Sequence, residues 1–154
     1  MTNILIGVHA ALGEIGVLSF LWCIVELLNP TDKRIKRAII ASVLGTIFIF
    51  ASWVAGGYYY VNFYGENVKP VIKEGLQPWA HSVVTETKEH VFLFLPFISL
   101  LATSLLVRHK KRLIKEHVLK KAVISLCWLV VLIGLAMAGM GYIISSSFRS
   151  SIGG

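Results

Sequence analysis

Titratable side chains are concentrated in one stretch of the sequence, between Pro78 and Val107. His81, Glu86, Glu89 and His90 come just before, or at the start of, a run of apolar residues. Imidazole nitrogens can bind a metal or a haem iron, and carboxylates can take up or release protons. The stretch therefore predicts a site for metal, haem or proton chemistry where a polar helix end meets an apolar segment.

The composition indicates a membrane protein. Of the 154 residues, 56% are hydrophobic, and the mean hydropathy is +0.74, which is too apolar for an ordinary soluble domain. Four stretches approach or exceed the roughly 20 apolar residues of a membrane span: 4–28, 38–60, 90–107 and 122–144, with the third helix starting near 78, outside the membrane. We predict an all-α fold, a single transmembrane domain over 1–154 that forms an up-and-down four-helix bundle in the lipid bilayer.

Most of the positive charge lies in two loops. The net charge is +7, and the loops after the first and third apolar stretches hold four and seven of the 15 Lys and Arg residues. The positive-inside rule places both loops in the cytoplasm, and both termini and the loop 61–89 on the outer face. The charge thus predicts a multi-pass protein of a prokaryotic inner membrane, not one that binds nucleic acid.

Counting residues from the basic loops gives each histidine a depth in the membrane. His9 lies 19 residues above Leu28 and His90 lies 17 above Val107, so both are about 25 to 29 Å above the inner edge at 1.5 Å per residue. Helices 1 and 3 are diagonal partners in an up-and-down bundle, roughly 11 to 14 Å apart. This gap fits two imidazoles with a flat macrocycle between them.

His9 and His90 are therefore candidate axial ligands of one b-type haem. Because no CxxCH motif is present, the haem would be bound non-covalently. His81 is nine residues before His90, about 180° around a helix, and could replace it only if helix 3 were rotated or irregular. The alternative is that each histidine is a residue of the membrane surface with no ligand role. Four glycines near these histidines would leave room for the porphyrin: Gly13, Gly56, Gly57 and Gly139.

Two acids are candidate catalytic residues. Glu14 lies five residues below His9, inside the hydrocarbon layer, where an acid is costly to ionise. It could carry protons to or from a quinone, tune a haem, or hydrogen-bond a neighbouring helix. Glu86 precedes His90 by four residues, so its carboxylate could orient the imidazole. Lys88 could meet a haem propionate.

With His9 and His90 on alternate helices of a four-span bundle, the sequence resembles small membrane b-type cytochromes, of which the cytochrome b561-like proteins are an example. The resemblance covers the architecture and that histidine pair, and it implies haem b and electron transfer. Proteins of the b561 type usually carry two histidine pairs, one near each membrane face. Here His109 and His117 lie together in a basic loop and do not form a second transmembrane pair.

Three functions are compatible with these features. The first is electron transfer through one haem near the outer face, between a quinone or quinol in the bilayer and a redox partner on the outer side. The second is that of a non-catalytic accessory subunit in a larger membrane complex or a homo-oligomer. The third is that of a small transporter or channel that uses Glu14.

Overall fold

The computed structural model describes residues 4–153, and this part of the chain is helical, with no β-strand. It contains four helical spans that are long and apolar enough to cross a membrane: Ile4–Leu28, Asp32–Asn67, Ala80–Arg108 and His117–Ile152. The predicted all-α, four-span organisation is confirmed.

The second and third spans are each composed of shorter helical elements. The second span is longer than predicted because no proline interrupts its helical hydrogen bonding before Pro70. The third begins at Ala80, close to the predicted start, and the fourth runs well past 144. The α-helices are α1 Ile4–Leu28, α2 Asp32–Tyr59, α3 Gly65–Asn67, α4 Lys69–Glu74, α5 Glu86–Phe92, α6 Phe94–Arg108 and α7 His117–Ile152, and π-helical segments cover Tyr60–Tyr64 and Ala80–Thr85.

The spans form a closed ring in which each packs on its two neighbours. Helix α1 packs against α2 and α7, and α6 packs against the same two helices. The first and third spans are therefore diagonal, as predicted. Both basic loops lie at one end of the bundle, the basic end, and Ile4 and Ile152 lie at the opposite end, the distal end.

The third span is interrupted at Leu93, between α5 and α6. Pro96 lies three residues further on, and a proline within a helix removes one backbone hydrogen bond and clashes with the carbonyl group four residues earlier. That carbonyl belongs to Phe92. The interruption at Leu93 thus lies next to the carbonyl group that Pro96 leaves without its helical partner.

Two spans approach each other closely at Gly16 and Gly45, where α1 crosses α2. A Cβ atom on Gly45 would lie 2.7 Å from the ring of Phe20 and 3.1 Å from the carbonyl oxygen of Gly16. A Cβ atom on Gly16 would lie 3.2 Å from the carbonyl oxygen of Gly45. The two glycines let the backbones touch, as small residues do between membrane helices.

A buried carboxylate fixes the same two helices at the basic end. Glu26 is 6% exposed and accepts a hydrogen bond from Nε of Arg34 at 2.9 Å, with Arg37 at 3.5 Å and the indole of Trp22 at 3.2 Å. Thr31 caps the start of α2 by accepting a hydrogen bond from the backbone N–H group of Arg34. Local sequence thus sets the tight turn between the first two spans.

Candidate functional site

His9 is held at the distal end by the backbone of α2. Its Nδ1 atom lies 2.8 Å from the carbonyl oxygen of Ser52 and 3.0 Å from the Ser52 hydroxyl oxygen. A carbonyl oxygen can only accept, so Nδ1 carries the proton. The Ser52 hydroxyl uses its own proton on the carbonyl oxygen of His9, at 2.8 Å. In the neutral ring, Nε2 therefore keeps a free lone pair.

The His9 ring packs between the second and third spans. It fills the space beside Gly56, where a Cβ atom would lie 2.7 Å from Nδ1. On the other side it meets the edge of the Phe92 ring, with a centroid distance of 6.4 Å. Phe92 is two residues from His90, so His9 and His90 lie at a similar level along the bundle.

His81 is the buried histidine of the third span. It is 2% exposed, and its Nδ1 lies 3.0 Å from the hydroxyl group of Tyr64. Tyr64 is 3.0 Å from the hydroxyl of Thr85, which donates to the carbonyl oxygen of Ala80 at 2.9 Å. Because the Thr85 hydroxyl donates its hydrogen bond to the carbonyl oxygen of Ala80, the Tyr64 hydroxyl must donate to Thr85 and accept from Nδ1 of His81. Nδ1 of His81 is thus protonated, and its Nε2 is also free.

The predicted orientations of His81 and His90 were reversed. We expected His90 to face the bundle axis and His81 to face away, but His81 is buried and His90 is exposed. The two histidines lie on opposite sides of the span, as their separation of nine residues implies. The predicted rotation of this part of the helix about its axis was wrong. The π-helical segment Ala80–Thr85 widens the turn around His81, and Tyr64 and Thr85 hold that ring inside.

His90 does not oppose His9 across the bundle. Its Nδ1 lies 2.6 Å from the backbone carbonyl oxygen of Glu86, and both residues line a shallow depression on the outer surface of the third span. The carboxylate of Glu86 is exposed, so the prediction that it orients the imidazole was wrong. The backbone holds the ring instead.

The four glycines that were predicted to make room for a porphyrin have two kinds of surroundings. Gly56 accommodates the ring of His9, and a Cβ atom on Gly13 would lie 3.2 Å from the hydroxyl oxygen of Ser52. Gly57 and Gly139 have no atom within 4 Å of an added Cβ, so both face open space. Gly13 and Gly56 thus allow close contacts between protein groups, whereas Gly57 and Gly139 do not.

Two charged groups lie at the level of the histidines or below it. Lys88 is partly buried, close enough to His9 to act on it electrostatically, and its Nζ lies 3.2 Å from the Cβ position of Gly141. Glu14 lies on the exposed face of α1. Within residues 4–153, neither has a hydrogen bond or an ion pair. Among the same residues, no three His, Cys, Asp or Glu side chains come together as a metal-binding group.

Sequence reasoning missed the groups that hold the two buried histidines. Ser52 is a single hydroxyl in an apolar run, and Tyr64 and Thr85 fall outside the predicted spans. The one available signal was that the helical pattern continues beyond Tyr60. Had the second helix been extended to 67, Tyr64 would have been placed opposite the start of the third helix.

Comparisons of the chain with protein-family models, with curated proteins and with solved structures find no match.

Proposed function

We propose that the protein is a membrane electron-transfer subunit that binds one b-type haem at its distal end, through Nε2 of His9. The observation that carries the proposal is the fixed tautomer of His9. Ligating histidines commonly donate the other ring N–H to a carbonyl group, which orients the ring and makes the free nitrogen more basic. His9 has this arrangement, with Nδ1 2.8 Å from the carbonyl oxygen of Ser52.

The location of Lys88 supports a haem beside His9. It is partly buried beside His9, and in residues 4–153 its ammonium group has no carboxylate partner. A cation in an apolar bundle needs a compensating charge. A haem propionate would supply one, and Lys88 would hold it while His9 holds the iron. When bound, the haem would supply a site for single electrons.

The proposal assigns His9 as the single histidine ligand. His90 lies on the outer surface of its helix. His81 and His9 are bonded to Tyr64 and Ser52, twelve residues apart on the second span, which is about 18 Å of helix. Neither His81 nor His90 can share an iron with His9 in this arrangement. With the basic loops in the cytoplasm, the haem would lie near the outer face, between quinol in the bilayer and a redox partner outside.

An absorption spectrum of the purified protein, produced in haem-replete cells, tests the proposal. We expect a Soret band with a b-type pyridine haemochrome, about one haem per chain, and a high-spin spectrum that responds to carbon monoxide, because one histidine leaves the sixth position open. A colourless and fully helical protein would contradict the proposal. A low-spin spectrum with two histidine ligands would contradict the single-ligand assignment.

A second candidate function, that of an accessory subunit, is favoured by Glu14. This acid lies on the exposed face of α1, where lipid would surround it, and exposed Ala11 and Gly7 lie one and two turns away, respectively. A carboxyl group in hydrocarbon is costly without a hydrogen-bond donor, and small residues allow another helix to come close. The partner would be a membrane helix with a basic or hydroxyl side chain at that depth.

We expect Glu14→Leu to release the protein from such a complex. In a mild detergent extract of its native membrane, the wild-type chain would migrate with the partner, and the variant would migrate alone. Glu66→Leu, which changes an exposed acid at the distal end, serves as the control and should migrate like the wild type. If Glu14→Leu migrates like the wild type, this second function is refuted.

A further inference from the structure

The positive charge of the basic end exceeds that of the whole chain. Residues 26–37 and 108–121 contain eleven basic and three acidic residues, a net charge of +8, whereas the chain as a whole carries +7. Glu26 pairs with Arg34 and Arg37, and Glu116 pairs with Arg112. Among the described residues, eight further cations of this end form no ion pair: Lys33, Lys36, Arg108, Lys110, Lys111, Lys115, Lys120 and Lys121.

Six of these eight unpaired cations belong to residues 108–121, which we call the basic segment. Its turns are fixed by the backbone, because the carbonyl oxygen of His109 accepts hydrogen bonds from the N–H groups of Arg112 at 2.8 Å and Leu113 at 3.2 Å. Leu113 is 1% exposed and packs in the main core cluster. Lys110 and Lys111, on the solvent side of this anchor, are exposed. The basic segment is therefore a packed turn that presents its cations outward.

Exposed apolar side chains lie between these cations. Val107 is 44% exposed, Ile114 38% and Val118 84%. The first two are each followed directly by an exposed basic residue, Arg108 or Lys115. This mixture suits the boundary of a bilayer, where basic side chains lay their apolar stems along hydrocarbon and extend their charged ends to the headgroups. A soluble polyanion would contact the cations and leave the apolar side chains between them uncovered.

We propose that the basic segment binds the headgroups of anionic phospholipids, with the acyl chains of the lipid against Ile114 and Val118. Anionic lipids attract basic residues next to a membrane span, and each such residue near the surface strengthens binding by up to about fivefold. The ion pair of Arg112 with Glu116, at 2.6 and 2.8 Å, withholds one cation from the lipid. This site is at the opposite end of the bundle from His9, so it does not depend on the proposed haem.

Electron spin resonance of spin-labelled lipids tests the site. The full-length protein is reconstituted in phosphatidylcholine bilayers with a trace of spin-labelled phosphatidylglycerol or spin-labelled phosphatidylcholine, and the fraction of label immobilised by the protein gives their relative affinity. We expect phosphatidylglycerol to be preferred about three- to fivefold at low ionic strength. At roughly 1 M salt the preference should fall close to one, because the Debye length is then only about 3 Å.

Two sets of variants should shift this preference in opposite directions. The double variant Lys110→Gln, Lys111→Gln removes two exposed cations and should lower the preference about twofold. Glu116→Gln removes the carboxylate that pairs with Arg112 and frees its guanidinium group for a headgroup. This variant should raise the preference by about a half or more. Circular dichroism checks that the variants remain helical.

Matched variants at the distal end separate the site from the effect of net charge. Lys69→Gln with Lys73→Gln removes the same charge as the lysine pair of the basic segment, and Glu74→Gln removes the same charge as Glu116→Gln. Both should keep the wild-type preference. The inference is overturned if the distal lysine variant loses as much preference as the variant of the basic segment. It is also overturned if the wild type does not distinguish the two lipids, which is the result expected if the segment meets only solvent or a soluble acidic partner.

Discussion

The His9→Ala variant is expected to lose its haem completely, while remaining helical and in the membrane. In the proposed site, Nε2 of His9 is the only protein atom bound to the iron, so removing the imidazole removes the coordinate bond. The rest of the bundle keeps its packing, because His9 is only partly buried and lies outside the cluster around Phe20 and Val130. The measurement is the ratio of Soret to protein absorbance after purification, with circular dichroism as the test of folding.

The other two histidines of this end serve as controls for the ligand assignment. His81→Ala and His90→Ala should both retain a full complement of haem. His81 is hydrogen-bonded to Tyr64, at a different level of the bundle from His9, and His90 lies on the outer surface. Loss of haem in His90→Ala would restore the histidine pair expected from depth alone. It would show that the third span turns its other face inward when haem is bound.

A pair of glycine variants tests the position of the His9 ring without removing it. A Cβ atom on Gly56 would lie 2.7 Å from Nδ1 of His9, whereas one on Gly57 would meet no atom within 4 Å. We therefore expect Gly56→Ala to displace the imidazole, lower the haem content and shift the Soret band. Gly57→Ala should leave both unchanged, and equal spectra for the two variants would contradict a ligand at His9.

Gly45→Ala is expected to destabilise the protein strongly for the addition of a single methyl group. The new Cβ atom would lie 2.7 Å from the Phe20 ring, which is fully buried, and 3.1 Å from the backbone of Gly16. Neither neighbour can move without separating α1 from α2. Overpacking of this kind costs about 1–3 kcal/mol, which at this chain length lowers Tm by roughly 2–4 °C per kcal/mol. Thermal unfolding in detergent, followed by circular dichroism, measures the effect.

Gly139→Ala makes the same chemical change where nothing is crowded. No atom lies within 4 Å of a Cβ at this position, and alanine favours a helix over glycine by up to about 1 kcal/mol. This variant should be as stable as the wild type or slightly more stable. If both variants unfold at the same temperature, the close crossing of α1 and α2 at Gly45 is not a determinant of stability.

The membrane spans and their order could be predicted from the sequence, because both depend on local features. A span requires a certain length of apolar residues, and the basic loops mark one end of each helix. The similar level of His9 and His90 along the bundle followed from the same count, and the His9 ring contacts Phe92, two residues from His90. Short connections made the first and third spans diagonal.

Only the tertiary structure decided which side of each helix faces inward. A helix in lipid carries apolar residues all round: exposed Phe97 and buried Leu95 lie on opposite faces of one span. Hydrophobicity therefore does not fix the rotation of the helix, as it would in water. Polar contacts from distant parts of the chain fix it instead. The hydroxyl of Tyr64 accepts a hydrogen bond from the buried His81 ring. The carbonyl oxygen of Ser52 accepts one from Nδ1 of His9, so the lone pair of Nε2 is available.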